Sequence, residues 1–151
     1  MRTPSRPHLQ ATSLLCAALG LLTLGCARKS DPIPRPLAQP AACTAHWVAH
    51  RVLEVDLPVA DVKGKALVGV ERVRIFYLPM GAARPTGPQI LATGEVILER
   101  SRPDLPSPGR TLRVEMKHIG RPAGWIVATA VRVGDVVGAP SETLPWLDPA
   151  L

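Results

Sequence analysis

Proline punctuates this chain. Seventeen of its 151 residues are Pro and twelve are Gly. Proline lacks a backbone donor and breaks helix interiors, so this spacing argues against long helices and suits short strands joined by turns. Apolar residues make up 46% and charged residues 20%, a mixture that can build a packed core. Once the amino-terminal segments are set aside, the length fits one ordinary domain.

From residue 43 onward the dominant signal is alternation. In 51–58, Leu53, Val55 and Leu57 fall on one face and Glu54 and Asp56 on the other. In 71–77, Val73, Ile75 and Tyr77 point inward, and in 111–117 Leu112, Val114 and Met116 do so. Residues 90–99 form a further strand candidate, stopped by Pro103, Pro106 and Pro108. Residues 125–133 are the most apolar run, as expected of a central strand. Gly134 and Asp135 suit a tight hairpin, with 136–144 returning. Gly64 and Gly69 bracket a loop, and 81–88 read as a turn-rich connection. These amount to about seven short strands, and the predicted class is an all-β, immunoglobulin-like sandwich over 43–151. Glu54, Asp56, Arg72, Arg74, Arg113 and Glu115 read as its solvated face, with cross-strand pairs there contributing under ~1 kcal/mol each.

The amino-terminal segment reads as an address. Arg2 and Arg6 precede an apolar run over 14–25, and Cys26 follows it directly. As a helix this run spans about 18 Å, whereas a bilayer core is roughly 30 Å thick. A secretory signal fits this pattern and a stable transmembrane helix does not. Thr23, Leu24, Gly25 and Cys26 together resemble the lipobox of bacterial lipoproteins. The resemblance implies cleavage between Gly25 and Cys26, removing 1–25. It also implies a diacylglyceryl group on the Cys26 thiol and an acyl group on the new amine. Cysteine suits this step because its thiolate is a strong nucleophile near neutral pH, and more than one acyl chain is what stable anchoring needs. Ala27, rather than Asp, follows the cysteine, which by the family rule implies the outer membrane, facing the periplasm. The alternative is an ordinary signal peptide cut after Ala27.

Residues 26–42 form the lipidated terminus and a spacer. Pro32, Pro34, Pro36 and Pro40 favour polyproline II. Such a spacer spans roughly 45–50 Å and would hold a domain clear of the headgroups. Arg28 and Lys29 before this stretch also resemble the start of short lipoproteins linked to outer-membrane assembly.

The later strands carry a second resemblance. Residues 125–131 followed by Gly138, Ala139, Pro140, Ser141 and Glu142 look like the end of a fibronectin type III domain, and 53–58 look like its second strand. The resemblance covers about 43 to 145 and implies a seven-strand sandwich. Two departures are visible. Leu57 stands at the family's core Trp, and Trp125 stands at its corner Tyr, so the corner hydrogen bond is expected to be absent.

Candidate chemistry is sparse. Cys43, His46 and His50 have a Cys-x2-His-x3-His spacing that Zn or Cu could use, against the reading of a strand start with surface histidines. Cys43 is the one thiol of the chain after residue 26, so it is either buried and inert or available to a partner. Trp146, between Pro145 and Leu147, is expected to cap the sandwich rather than anchor a partner. The sequence carries no Gly-x-Ser-x-Gly, His-Glu-x-x-His, phosphate-loop or dinucleotide pattern. Neither catalytic residues, a cofactor nor a resident metal is expected. Net charge is +6, and removal of Arg2 and Arg6 leaves +4 with no basic stripe interleaved with aromatics. That excludes an obvious nucleic-acid surface and permits weak attraction to anionic lipid. The expected role is a lipid-anchored, non-enzymatic envelope binding or scaffold module. Its expected partners are membrane lipid through Cys26 and an envelope protein or polysaccharide. The alternatives are an accessory subunit of an outer-membrane assembly machine and a periplasmic metal-binding protein.

Overall fold

The computed structural model describes residues 37–117 and 119–147. Residues 1–25 with the Gly25–Cys26 cleavage site, the first part of the spacer, and His118 lie outside the described residues.

The protein is a two-sheet antiparallel β-sandwich. Its elements are β1 (Thr44–Ala49), β2 (Val52–Asp56), β3 (Val70–Pro79), α1 (Gly87–Thr93), β4 (Glu95–Ser101), β5 (Thr111–Glu115), β6 (Gly124–Arg132), β7 (Val136–Val137) and β8 (Leu144–Trp146). One sheet has the order β1-β2-β5; the other runs β4-β3-β6-β7, with β8 also pairing β6. The alternation legible in the sequence is the alternation of burial. Leu53, Val55, Val73, Ile75, Tyr77, Val114 and Met116 all lie in the shared core. Removing these side chains from water is the main force holding the sheets together.

The central strand is β6. Its inward residues Ile126, Ala128 and Ala130 meet the other sheet, and Val127, Thr129 and Val131 on the outer face are also buried. The Thr129 hydroxyl, shut away there, donates to the Gly138 carbonyl at 2.9 Å, so its polarity is satisfied.

Three elements differ from the sequence expectation. The strand candidate over 90–99 is a helix followed by a strand. Thr86 and Gln89 stand in a Thr-x-x-Gln capping relation, and the Gln89 side chain accepts from the Thr86 amide at 2.8 Å. Ile90, fully buried, pins α1 to the sheet, and Gly94 ends it. A Cβ on Gly94 would meet the Tyr77 carbonyl at 2.7 Å, so β4 turns in a space open to glycine alone. The second difference is the returning strand over 136–144, which is interrupted. Pro140, which offers no donor, falls in the gap between β7 and β8. The gap between them is filled by Ser141, whose hydroxyl accepts from the Ala128 amide at 3.0 Å. Third, residues 42–49, without evident structure in the sequence, contain β1, paired along β2 with a bulge between Trp47 and Ala49.

Loops 57–69, 102–110 and 133–135 gather at one end of the sandwich, and residue 37 lies there too. The Val62 amide donates to the Gln39 carbonyl at 2.9 Å and the Ala41 amide to the Ala60 carbonyl at 3.0 Å. Residues 39–41, read from sequence as spacer, are thus hydrogen-bonded into the domain. The expected Gly134–Asp135 hairpin is present, with φ of 77° and 61° matching a turn that needs two left-handed residues.

Ile75 is fully buried on the strand between β4 and β6. Ile75→Ala is expected to cost about 2–5 kcal/mol. This would appear as a lower urea midpoint with an unchanged slope; an unchanged midpoint would contradict the assigned core.

Candidate functional site

The end of the sandwich opposite those loops carries the most distinctive arrangement of side chains. Trp47 from β1 and Trp146 from β8 meet there with ring centroids 5.8 Å apart and planes inclined by 43°. Each indole nitrogen has a partner across the fold. Trp47 Nε1 donates to the Pro145 carbonyl at 3.1 Å, joining the two sheets. Trp146 Nε1 donates to the Arg121 carbonyl at 3.0 Å. Trp146 is 1% exposed, so it caps the sandwich as the sequence suggested.

This pair floors a cleft of about 210 Å3, walled by His50, Arg51, Pro145 and Leu147. Leu147 at its rim is exposed. Arg51 sits in the β1–β2 turn with φ 58°, a left-handed conformation uncommon outside glycine. It is fixed there by two bonds. The Met116 amide donates to its carbonyl at 2.8 Å, and its Nη1 donates to the Lys117 carbonyl at 2.9 Å. Its Nε is buried with no acceptor among the described residues. An unusual backbone, an unmatched buried donor and an apolar floor thus meet in one place. Nothing in the sequence marked Arg51, because turn chemistry predicts Gly or Asn at such a position. Chemically the cleft can hold an apolar group beside a hydrogen-bond acceptor or an anion.

The structure does not bring the sequence-predicted metal candidates together. Cys43 and Ala45 face the core, while His46 points outward, where its Nε2 lies 3.6 Å from Glu54 Oε2. Residues an odd number of places apart on a strand face opposite sides, which separates Cys43 from His46. His50 lies in the turn beyond β1 and walls the cleft. Among the described residues no three His, Cys, Asp or Glu side chains converge as a metal site requires. Of the two readings for Cys43, the structure selects burial; the residue is 3% exposed.

Leu57 is buried in the core. Trp125 Nε1 is buried without a partner among the described residues, and the Arg84 guanidinium lies 5.6 Å from the Trp125 ring centre. The chain entering β6 is tied down from elsewhere, by Tyr77, whose hydroxyl donates to the Pro122 carbonyl at 3.1 Å, and by Trp146 on Arg121.

No family model, curated protein or solved structure matches the chain.

Burial pushes the Cys43 thiol from its ordinary 9.0 up to about 12, against a smaller opposing effect from its hydrogen bond with the Ala130 backbone. The folded state therefore holds this proton more tightly than the unfolded chain. The stability linked to it is complete below pH 9 and is lost as pH rises toward 12, by at most about 1.4 kcal/mol per pH unit. In Cys43→Ala this component of the alkaline decline is expected to vanish, as read from urea midpoints measured across that range. Iodoacetamide at neutral pH is expected to alkylate Cys43 rapidly in the denatured chain and slowly in the native one.

Proposed function

We propose that this protein is a lipid-anchored, non-enzymatic module of the bacterial cell envelope. Acylated Cys26 holds it at the outer membrane, on the periplasmic side, and the β-sandwich is presented to an envelope protein or polysaccharide. The observation that carries this reading is Cys26 placed directly after the apolar run of 14–25, completing the four-residue run Thr23, Leu24, Gly25, Cys26. A thiol at the cut site, a small residue before it and a run too short to span a bilayer are what lipidation followed by cleavage requires.

The form of the domain supports the same reading. Leu37–Leu151 is a compact unit in its own right, which suits cargo on a tether. The order β1-β2-β5 against β4-β3-β6-β7 supports the likeness to fibronectin type III domains, a scaffold that hosts binding surfaces on its loops and edges. The partner surface we favour is the Trp47–Trp146 cleft, because tryptophan and arginine side chains at a partly open pocket are the usual anchors of recognition.

Two measurements test this reading. The intact mass of the membrane-extracted chain is expected to equal residues 26–151 plus diacylglyceryl and acyl increments. Cys26→Ser is expected to remain uncleaved and to lose those increments. An unmodified mature mass, or identical processing of the variant, would overturn the anchoring role. Envelope proteins crosslinked to the wild-type chain are expected to be lost in Trp47→Ala, with secondary structure by circular dichroism retained.

A further inference from the structure

The loop end, opposite the tryptophan cleft, carries aliphatic side chains that the core does not use. Val59, Val62, Val68, Val133 and Leu37 are all exposed there, Val68 at 72%. They belong to one surface because their loops touch. Val133 Cγ2 lies 3.6 Å from the position a Cβ would take on Gly69, and Leu37 Cδ1 lies 3.6 Å from that position on Gly134. Val59 packs against Gly109. The Val133 amide also donates to the Gly69 carbonyl at 3.4 Å.

The loop holding Val62 is built firmly. Asp61 Oδ1 accepts from the amides of Lys63 and Lys65 at 2.8 and 2.9 Å, and Gly64 turns with φ 76°. Buried Leu67 anchors the returning arm, and the Leu67 amide donates to the Val59 carbonyl at 2.8 Å. Val62 is therefore carried on a fixed tip with Lys63 and Lys65 beside it.

The charges at this end are arranged differently from those at the other. Lys117 and Arg121 there pair with Glu115 and Glu95. Lys63, Lys65 and Arg110 are exposed and make no ion pair among the described residues. Of the acids at the loop end, Asp61 lies beside Lys63 and Lys65 and offsets part of their charge, and Asp135 pairs with Arg72 and Arg74.

We propose that this loop end docks on the surface of an anionic phospholipid bilayer. Valine side chains enter the headgroup boundary, and Lys63, Lys65 and Arg110 pair with lipid phosphates. The proposal extends the reading of Cys26 as a lipidated residue and replaces the expectation that the spacer holds the domain clear of the headgroups: Leu37, toward which the chain runs from Cys26, lies at this same end. Docking here turns the tryptophan cleft away from the lipid. The ten residues of β3 between the two ends span about 33 Å.

Hydrogen exchange of the full chain tests this. The purified protein is measured alone, with phosphatidylcholine vesicles, and with vesicles that also contain phosphatidylglycerol. Amides of 59–68 and 133–135 are expected to slow in the anionic vesicles, while those around His50 do not change. Lys63→Glu with Lys65→Glu is expected to weaken binding to anionic vesicles at least about tenfold. Val68→Asp is expected to remove the protection with the fold intact by circular dichroism. Equal exchange with and without vesicles, or protection that survives both sets of substitutions, would overturn the proposal. Protection in native envelope but not in protein-free vesicles would assign this end to a protein partner and overturn it as well. The intact mass of the same preparation separates the two readings. A lipidated chain without loop protection refutes bilayer docking alone, and an unlipidated chain with protected loops refutes the anchor alone.

Discussion

The burial of β6 on both faces is the constraint from which the rest follows. A strand covered on one side needs one layer of partners; this one needs two. Its inner face is met by the three-stranded sheet. Its outer face is covered by α1, through Ile90, while β7 and β8 pair along its edge. That second layer explains features otherwise unrelated. The helix sits where the outer face needs covering. Thr129 bonds to Gly138 because its hydroxyl is sealed in. The Arg121–Pro122 entry into the strand is clamped by Tyr77 and Trp146, since a misplaced entry would shift every residue of β6 by register.

What was legible in the sequence is what one-sided burial writes there. Leu53 and Val55, Val73 and Ile75, and Leu112 and Val114 alternate with charges because each strand has a wet face. The unbroken apolar run of β6 was equally readable as a strand with no wet face. The parts that escaped have physical reasons. β1 is an edge strand with a bulge, and small alanines and a histidine dilute its pattern. The seven residues of α1 are too few to show a helical period, although Thr86, Pro88 and Gln89 spelled its start. The final strand was foreseen as continuous, and the missing donor of Pro140 falls where it divides.

The candidate site was legible by halves. Trp146 stood out as a lone aromatic near the chain end, and its capping role could be inferred from size alone. Its companion Trp47 lay in a segment with no evident structure, so their meeting could not. Arg51 was invisible for a different reason. A left-handed turn residue is normally advertised by Gly or Asn, and here an arginine is held in that shape by bonds from Met116 and to Lys117, both distant in sequence. The histidine–cysteine spacing is no guide to proximity because ligand counting along a chain ignores the pleat: one odd step puts Cys43 in the core and His46 outside it.

The broken ladder between β7 and β8 bears on how neighbouring copies behave. Exposed sheet borders are where encounters between copies of a chain turn into fibres. Along this border Pro140 and Pro145 interrupt the row of amides, and Ser141 is folded inward onto Ala128. At the opposite border a register shift distorts the pairing of β3 with β4. Neither margin of this sheet offers an incoming strand a straight template.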